Sequence, residues 1–459
     1  MMMALGTVIG GSFFLGSSVA IHAAGPAVII SYIIGGILVY FLLLALSELT
    51  VANPHYGSFR TSAAQAFGPG TGFVVGWVYW TGLVFSMSSE ATAVSIFMRQ
   101  WIPNLSIPIT GSIIIICITL LNLLGADKLS KLESGLAAVK ILAVLSFIII
   151  GVILIFGLTS GAKAVGLGEL TREPFLPGGI KGIAGSMLLI ISAYAGFEII
   201  GLAASEAHDP VKTVPKAIFY TVISLVGLYI ISAAVMLPLI PTTQLNEDIS
   251  PFVAALSRQG IGWAASVINF VLITAVLSTM LASMFGLGRI MRSLVDEGHA
   301  PLWLKDKKDV PYRGILFSGV GMLVGLGIGL LFPRVYLFLI SSGAFAMLFT
   351  YAVIMATQIR LRKTTGCPPL GKCQVPGYPY TSWIVLISVI LIIASIPFIS
   401  GQASGLIVGI IMVTAYIFIY LIFKSVKIPR RKRSAYKRNR YSSGFLEEYA
   451  EEQDHKKED

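Results

Sequence analysis

Two apolar stretches of the sequence contain glycine clusters that could expose backbone groups inside a membrane. The first cluster reads Gly10-Gly11-Ser12-Phe13, and the second reads Tyr194-Ala195-Gly196-Phe197. Glycine in a helix interior costs about 1 kcal/mol relative to alanine, and an unwound backbone is tolerated in lipid only where it is buried or lines a cavity. Either cluster alone would also suit the close packing of two helices. The occurrence of both indicates a pair of interrupted helices.

Interrupted helices present two complementary kinds of backbone group. A helix N-terminus offers N–H groups and the positive end of a dipole, which suit a carboxylate, and a helix C-terminus offers carbonyl oxygens, which suit an ammonium group. A zwitterionic ligand would use both. The predicted carboxylate side consists of Gly10, Gly11, Ser12 and Phe13. The predicted ammonium side consists of main-chain groups of Tyr194, Ala195 and Gly196.

Several uncharged residues on neighbouring apolar stretches could line the space around the side chain of such a ligand. These candidates are Gly82, Leu83, Met87, Tyr194, Phe197, Ser278, Ser283 and Ser342. Their lack of charge favours a ligand with a neutral side chain. Aromatic residues at helical spacing are also common in plain packing and at the lipid interface.

Three ionisable residues also fall within apolar stretches, namely Glu90, Lys140 and Glu198. A charge at the centre of a bilayer costs several kcal/mol, so a buried one is a candidate for function. Because a buried lysine can gain and lose a proton near neutral pH, we assign a proton-coupling role to Lys140. Glu90 and Glu198 could move protons, contact the ammonium group or hold a local network. The alternatives are a lysine that snorkels to the interface and carboxylates in structural ion pairs.

The composition requires a membrane around these residues. Of 459 residues, 56% are hydrophobic and only 12% are charged, whereas a soluble domain is usually about a quarter charged. Backbone groups in lipid must bond internally, and the period-2 alternation of a barrel is absent, so the apolar stretches are predicted to be helices. The twelve predicted spans are 4–23, 27–46, 72–97, 107–124, 132–158, 183–204, 217–237, 261–295, 315–332, 335–359, 382–396 and 406–423.

The distribution of Lys and Arg predicts the orientation of these spans. With the N-terminus in the cytosol, the inner loops hold 15 of these residues and the outer loops hold 6, and 11 more follow from Lys424 onward. This bias places both termini in the cytosol. The prediction is a transmembrane domain over 1–426 and a disordered cytosolic tail over 427–459, whose basic part would lie on anionic lipid. The net charge of +11 is therefore not taken as a sign of nucleic-acid binding.

Enzymatic chemistry finds little support in the sequence. The five histidines fall at span edges, in loops or in the tail, without a nucleophile–base pattern or a metal-ligand spacing around them. A phosphate-binding Gly-x-x-x-x-Gly-Lys-[Ser/Thr] loop is absent, so ATP is not expected to supply energy. Cys367 and Cys373 lie in a predicted cytosolic loop, where two free thiols are expected.

Several spaced motifs together resemble the amino acid–polyamine–organocation (APC) superfamily, and its amino acid transporter (AAT) subgroup in particular. The first span reads Ala-Leu-Gly-Thr-Val-Ile-Gly-Gly-Ser-Phe-Phe from Ala4, similar to the family's Gly-x-x-Ile-Gly-[Thr/Ser]-Gly-[Leu/Ile]-Phe. The later matches are Ala24-Gly25-Pro26-Ala27, Glu48, Pro54-His55-Tyr56-Gly57-Ser58-Phe59, Gly76-Trp77-Val78-Tyr79-Trp80, Tyr194-Ala195-Gly196-Phe197-Glu198 and Asp209-Pro210-Val211-Lys212-Thr213-Val214-Pro215-Lys216-Ala217. They occur in the family's order from the first span through the tenth.

The resemblance implies a fold and an activity. The fold would be all-α and LeuT-type, with twelve transmembrane helices: inverted five-helix repeats at about 4–158 and 183–361, broken helices 1 and 6, and two extra helices at about 381–423. The activity would be import of an amino acid across the cell membrane by proton symport and alternating access, with the proton gradient as energy source and no cofactor. Lys140 matches the family's Glu-(x)6-Lys pattern after Glu133, where a lysine replaces sodium in proton-coupled relatives.

Other activities of the same fold remain open at this stage. They are an amino acid exchanger, a sodium-coupled carrier, a transport-derived sensor and a channel. A fixed positive charge at Lys140 opposes sodium binding there. The expected partners are the amino acid and the lipid bilayer, with the oligomeric state left open.

Overall fold

The computed structural model describes residues 8–52, 58–158, 164–196, 210–306, 310–367, 373–399 and 401–425. Throughout these ranges the regular elements are helices, and no strand occurs in them. The all-α prediction is therefore confirmed for the described part of the chain. Phe197 and Glu198, two of the predicted site residues, lie outside it.

The described helices overlap all twelve predicted spans. In chain order they are α1 Gly11–Phe14, α2 Gly16–Ala24, α3 Val28–Ala52, α4 Ser58–Phe67, α5 Pro69–Met98, α6 Ile107–Asn122, α7 Ala126–Phe156, α8 Gly179–Tyr194, α9 Pro210–Met236, α10 Pro251–Arg258, α11 Gly262–Asp296, α12 Tyr312–Gly329, α13 Val335–Thr365, α14 Tyr380–Ser395 and α15 Ala403–Ser425.

Eight described segments are long and apolar enough to cross a membrane. The first, Gly11–Thr50, contains two of the predicted spans, and the 3-10 turn Gly25–Ala27 separates them. Ile107–Asn122 and Gly179–Tyr194 are apolar but shorter. The protein is a polytopic helical membrane protein, and the total of twelve spans stays a prediction.

The backbone departs from helical geometry at both glycine clusters, and the continuation of a helix beyond Gly196 stays a prediction. Gly10 is extended, with φ −139° and ψ −162°, and α1 begins directly after it. At the second cluster, α8 ends at Tyr194, Ala195 is extended with ψ 156°, and Gly196 has φ 108°. That φ lies in the region that L side chains rarely adopt, which explains a glycine at this position.

Two groups of helix contacts surround the glycine clusters, and α13 joins them. In the first group, α2 packs on α8, and α3 packs on both α8 and α9. In the second, α5 packs against α11, α12 and α13, and α13 also packs on α3 and α8. The α5–α13 contact is close because Gly82 and Gly343 face it: a Cβ on Gly82 would overlap Ala346, and one on Gly343 would overlap Ser86.

The two loop cysteines differ from expectation. The structure pairs Cys367 and Cys373 in a disulfide, with their Cα atoms 5.4 Å apart. This separation is within the range that a disulfide spans. The expectation of two free thiols at these positions was wrong for this structure.

The chain divides into two compact units at Tyr416. The first runs from Met1 to Tyr416 and contains all the predicted site residues. The second, Ile417–Asp459, contains the end of α15. The predicted boundary at 426/427 lies outside the described residues, the last of which is Ser425, and stays a prediction.

Candidate functional site

The break in the first helix holds the carboxylate of Glu90. Gly11 N donates to Glu90 Oε2 at 2.7 Å, and Ser12 N donates to Oε1 at 3.3 Å. The Ser12 hydroxyl lies 3.5 Å from the same Oε1. These N–H groups begin a helix and have no intrahelical acceptor, so a carboxylate satisfies them. The backbone groups predicted to hold a ligand's carboxylate thus hold a carboxylate of the protein in this structure.

Glycine at position 11 allows this close approach. A Cβ on Gly11 would lie 2.7 Å from Glu90 Oε2, and one on Gly10 would lie 3.1 Å from the Thr279 methyl group and 3.2 Å from Glu90 Oε1. Side chains at either position would push the carboxylate away from the helix. The glycine pair therefore both interrupts the helix and admits the anion.

The other end of the break is linked to Lys140 by a hydroxyl. Lys140 is fully buried in α7, and its Nζ donates to Thr279 Oγ1 at 2.8 Å. Thr279 Oγ1 lies 3.0 Å from the carbonyl oxygen of Ile9 and 3.1 Å from that of Ala275. The buried lysine predicted from the sequence, Lys140, is therefore connected to Ile9 at the break through the hydroxyl of Thr279 on α11. Sequence reasoning missed Thr279, since one threonine in a helix carries no distinguishing signal.

The carbonyl of Gly11 has its own contact, which sequence reasoning also missed. Tyr336, near the start of α13, donates from its hydroxyl to Gly11 O at 3.2 Å. The same oxygen accepts the helical bond from Leu15 N at 2.7 Å. The broken segment is thus hydrogen-bonded to α5 through Glu90, to α11 through Thr279 and to α13 through Tyr336.

Aromatic rings connect the two interruptions. Phe13 stacks on Tyr229 with centroids 3.8 Å apart, and Tyr194 stacks on the same tyrosine at 5.2 Å. The Tyr229 hydroxyl donates to Ala193 O at 3.1 Å, and that of Tyr194 donates to Tyr32 O at 3.2 Å. The structure therefore brings Phe13 and Tyr194 together through α9, as part of a buried aromatic cluster.

Most of the remaining predicted lining residues lie on α5 and α11. Leu83, Met87 and Glu90 are spaced by four and three residues and so share one face of α5, and Ser283 lies one turn after Thr279 on α11. Ser12, Leu83, Ala195 and Gly196 keep partial exposure, whereas Met87 and Ser283 are buried. Gly82 faces α13, and its role in lining a ligand space stays a prediction.

A second polar cluster joins α4 to the end of α11. Arg60 is buried, with 2% of its side chain exposed, and its NH2 group donates to Glu297 Oε1 at 2.5 Å and to Ser293 Oγ at 2.7 Å. Its NH1 group lies 3.1 Å from His299 Nδ1. Burial lowers the pKa of His299, the charge of Arg60 lowers it further, and Glu297 opposes both. The cluster anchors α4 away from the broken helices.

Glu48 forms a third buried polar site, at the end of α3. Its Oε1 accepts from Gln374 N at 2.6 Å, Val375 N at 2.8 Å and Arg362 at 3.3 Å, and its Oε2 accepts from Gln358 at 2.8 Å. These donors come from α13 and from the loop after it. Glu48 therefore holds this loop against α3.

Comparison with known proteins accords with this architecture. Residues 1–435 match the family described as amino acid permease. The chain is 31% identical over 441 residues to the gamma-aminobutyric acid permease of Bacillus subtilis (strain 168), covering 94% of this chain and 93% of the relative. It is 31% identical over 433 residues to the probable threonine/serine transporter YbxG of the same organism, covering 92% and 93%. It is also 31% identical over 439 residues to the amino-acid permease RocC of that organism, covering 92% and 93%.

These relatives bear the names of a permease and a probable transporter, and each alignment covers more than nine-tenths of this chain. Family, helical architecture and apolar composition agree on a multi-pass membrane permease. The chain belongs to the amino acid permease family.

Proposed function

We propose that this permease imports an amino acid by proton symport, through alternating access. The observation that carries the proposal is the carboxylate of Glu90 on the N–H groups of Gly11 and Ser12. It supports a carboxylate-binding position at the broken helix. A substrate carboxylate would occupy the same position when Glu90 leaves it.

Protonation of Glu90 would couple the two events. An ionised Glu90 competes with the substrate carboxylate for the same donors, since two negative charges in one buried position repel each other. A proton on Glu90 removes that charge and weakens its hold on Gly11 and Ser12. The substrate's carboxylate would then bind while the proton travels with it. Gly10 and Phe13 would flank the position.

Lys140 would supply the positive charge that sodium supplies in other carriers. Its Nζ reaches the Ile9 carbonyl through Thr279, at 2.8 Å and then 3.0 Å. A charged lysine would hold the two segments of the broken helix in place, and loss of its proton would release them. Glu198, outside the described residues, is proposed as a further proton-coupling group.

The second interruption would bind the substrate's ammonium group. The carbonyl-bearing end of α8 at Tyr194, with Ala195 and Gly196 after it, supports this assignment. Leu83, Met87, Ser283, Gly82 and Phe197 are proposed to surround the substrate's side chain. This uncharged set favours a neutral amino acid, and two relatives bear the names of a gamma-aminobutyric acid permease and a probable threonine/serine transporter.

The architecture that would allow alternating access is the inverted-repeat fold. The paired glycine clusters in the first and sixth predicted spans support it, as does the packing of α2 on α8 and of α3 on α8 and α9. We place the protein in the cell membrane with both termini in the cytosol, because Lys and Arg are concentrated in the loops that this orientation puts inside.

Uptake into proteoliposomes tests the proposal. The purified chain is reconstituted, and uptake of each proteinogenic amino acid and of gamma-aminobutyrate is measured with an acidic exterior, without a pH gradient, and with a sodium gradient alone. We expect accumulation of at least one neutral amino acid that requires the pH gradient. Accumulation with sodium alone would favour a sodium-coupled carrier, and exchange without accumulation would favour an exchanger. Transport of none of the compounds would contradict the proposal.

The Glu90→Gln variant tests the coupling step. Glutamine keeps the size of the side chain but carries no titratable charge, so we expect counterflow to continue while pH-driven accumulation is lost. The control is Glu169→Gln, which removes a carboxylate paired with Arg172 and Arg258 in a loop outside the site. Full pH-driven accumulation by Glu90→Gln would exclude Glu90 from coupling.

A further inference from the structure

The Tyr336 hydroxyl donates a hydrogen bond to the C=O of a peptide group whose N–H points at the carboxylate position. Tyr336 is buried, with 2% exposed, and its hydroxyl donates to Gly11 O at 3.2 Å. The carbonyl of Gly11 and the N–H of Ser12 belong to the same peptide unit. A trans peptide is planar, so its C=O and N–H point in opposite directions. The C=O of this unit faces α13, and its N–H faces Glu90 on α5.

Local structure does not require this tyrosine contact. Gly11 O already accepts the helical bond from Leu15 N at 2.7 Å. A carbonyl oxygen has two lone pairs, so the hydroxyl is a second donor to an acceptor that is already satisfied. The contact therefore links α1 to α13 beyond what the backbone needs.

Two physical effects follow from the contact. The hydroxyl fixes the rotation of the peptide unit, and with it the direction of the Ser12 N–H. It also polarises the amide, because a hydrogen bond to the C=O strengthens the bond that the N–H donates. Both effects act on the anion held at the start of α1.

We infer that Tyr336 is a positioning residue for the carboxylate held at Gly11 and Ser12. That carboxylate is Glu90 in this structure and, under the proposed function on which this inference rests, the substrate's carboxylate during transport. Tyr336 acts through the Gly11–Ser12 peptide and does not itself contact the substrate. It sets how strongly the permease binds a carboxylate.

The test is Tyr336→Phe, which removes only the hydroxyl. The matched control is Tyr378→Phe. Tyr378 lies in the loop before α14, outside the site, and its hydroxyl also donates to a backbone carbonyl, Ile359 O of α13, at 3.2 Å. Concentration dependence of uptake is measured with an acidic exterior, where Glu90 is proposed to carry a proton. The probe is the amino acid that the unsubstituted chain carries best, and its carboxamide is the competitor.

We expect Tyr336→Phe to raise the half-saturation concentration for the amino acid about fivefold, the size of one ordinary hydrogen bond. The maximal rate per folded protein and the inhibition constant of the carboxamide should stay within about twofold, since the amide carries no charge for the Ser12 N–H to bind. The Tyr378→Phe control should leave both constants unchanged.

A purely structural role for Tyr336 gives a different pattern. Loss of packing would lower the maximal rate and the thermal stability while half-saturation stays the same, or it would weaken acid and amide by the same factor. Either pattern, or an unchanged half-saturation, would overturn the inference. The failure of the proposed function is distinguishable, because then the unsubstituted chain would itself show no amino acid uptake.

Discussion

Lys140 donates to Thr279, and this contact connects the buried lysine to the broken first helix. The distance from Lys140 Nζ to Thr279 Oγ1 is 2.8 Å, and Thr279 Oγ1 lies 3.0 Å from Ile9 O. A hydroxyl has one hydrogen and two acceptor lone pairs, so it can accept from the ammonium group and donate to the Ile9 carbonyl at the same time. The charge state of Lys140 can thus affect the position of Ile9.

Removal of this hydroxyl should uncouple transport from the pH gradient. In Thr279→Val the side chain keeps its shape, but Lys140 loses an acceptor and Ile9 loses a donor, at a cost of about 1–3 kcal/mol. We expect pH-driven accumulation to fall about tenfold, and Thr279→Ser to restore most of it. The measurement is uptake with and without a pH gradient.

The control for this variant is Thr350→Val. Thr350 is also buried and also donates to a carbonyl one turn earlier on its own helix, Ala346 O at 2.8 Å. Within the described residues, no hydrogen bond joins Thr350 to an ionisable side chain. Its accumulation ratio should match that of the unsubstituted chain. Equal ratios for Thr279→Val and Thr350→Val would refute a coupling role for Thr279.

A methyl group at position 11 should disrupt carboxylate binding. Gly11 lies in the helix α1, where alanine is locally favourable. Tertiary contacts oppose the change, because an added Cβ would lie 2.7 Å from Glu90 Oε2 and 3.3 Å from the Cβ of Ala93. Overpacking of this kind typically costs about 1–3 kcal/mol, so we expect Gly11→Ala to reduce uptake about tenfold or more. Initial rates of uptake, normalised to folded protein, check this.

The comparison for that variant is Gly227→Ala in α9, where an added Cβ meets no atom within 4 Å. Alanine there should preserve uptake and slightly raise stability, because it favours the helix. Normal transport by Gly11→Ala would show that the carboxylate position tolerates an added methyl group and is not closely packed.

Loss of Glu297 should destabilise the permease, because Arg60 would stay buried without its carboxylate partner. Breaking a buried ion pair costs about 3–5 kcal/mol. Glu297 is 34% exposed, so a smaller cost of about 2 kcal/mol is expected, since solvent screens its side of the pair. Glu297→Gln should lower the thermal unfolding temperature in detergent by several degrees.

A surface pair provides the comparison for Glu297→Gln. Arg172 is 73% exposed where it meets Glu169, and exposed pairs contribute about 0–1 kcal/mol. Arg172→Gln should therefore shift the unfolding temperature little. Equal shifts for the two variants would contradict a structural role for the buried Arg60 contact.

The stability of the Arg60 cluster should fall as pH decreases. Arg60 NH1 can donate to His299 Nδ1, at 3.1 Å, only while the imidazole is neutral. Because the pKa of His299 is lowered on folding, the unfolded chain binds the proton more readily than the folded one. The stabilising contribution is therefore complete above the ordinary histidine pKa of about 6.5 and is lost as pH falls through the lower folded-state pKa.

Replacement of this histidine should flatten that part of the stability profile. His299→Asn keeps a possible acceptor for Arg60 but cannot take up a proton, so thermal unfolding measured across mildly acidic pH should vary less than in the unsubstituted chain. His22→Asn, which changes a histidine next to Thr242 O, should leave the profile as it was. An unaltered profile for His299→Asn would show that His299 does not contribute to it.

The interrupted helices were predictable from local chemistry. Gly10 and Gly196 occupy extended or left-handed backbone, and such positions are recognisable because glycine inside an apolar stretch is unfavourable without a special reason. Glu90 and Lys140 could be singled out in the same way, because charge in an apolar stretch is expensive. Composition, together with the absence of period-2 alternation, also predicted a helical membrane protein, and the described residues agree.

The partners of these residues depended on tertiary packing. Lys140 and Thr279 are 139 positions apart in the chain, and Tyr336 and Gly11 are 325 apart. No periodicity in one sequence specifies which faces of two distant helices meet, since many packings bury the same apolar residues. The sequence alone thus indicated the positions of the glycine clusters and the burial of Glu90 and Lys140. Only the tertiary structure decided that Arg60 and Glu48 are buried as well, that Glu90 occupies the carboxylate position, and that Thr279 and Tyr336 contact the break.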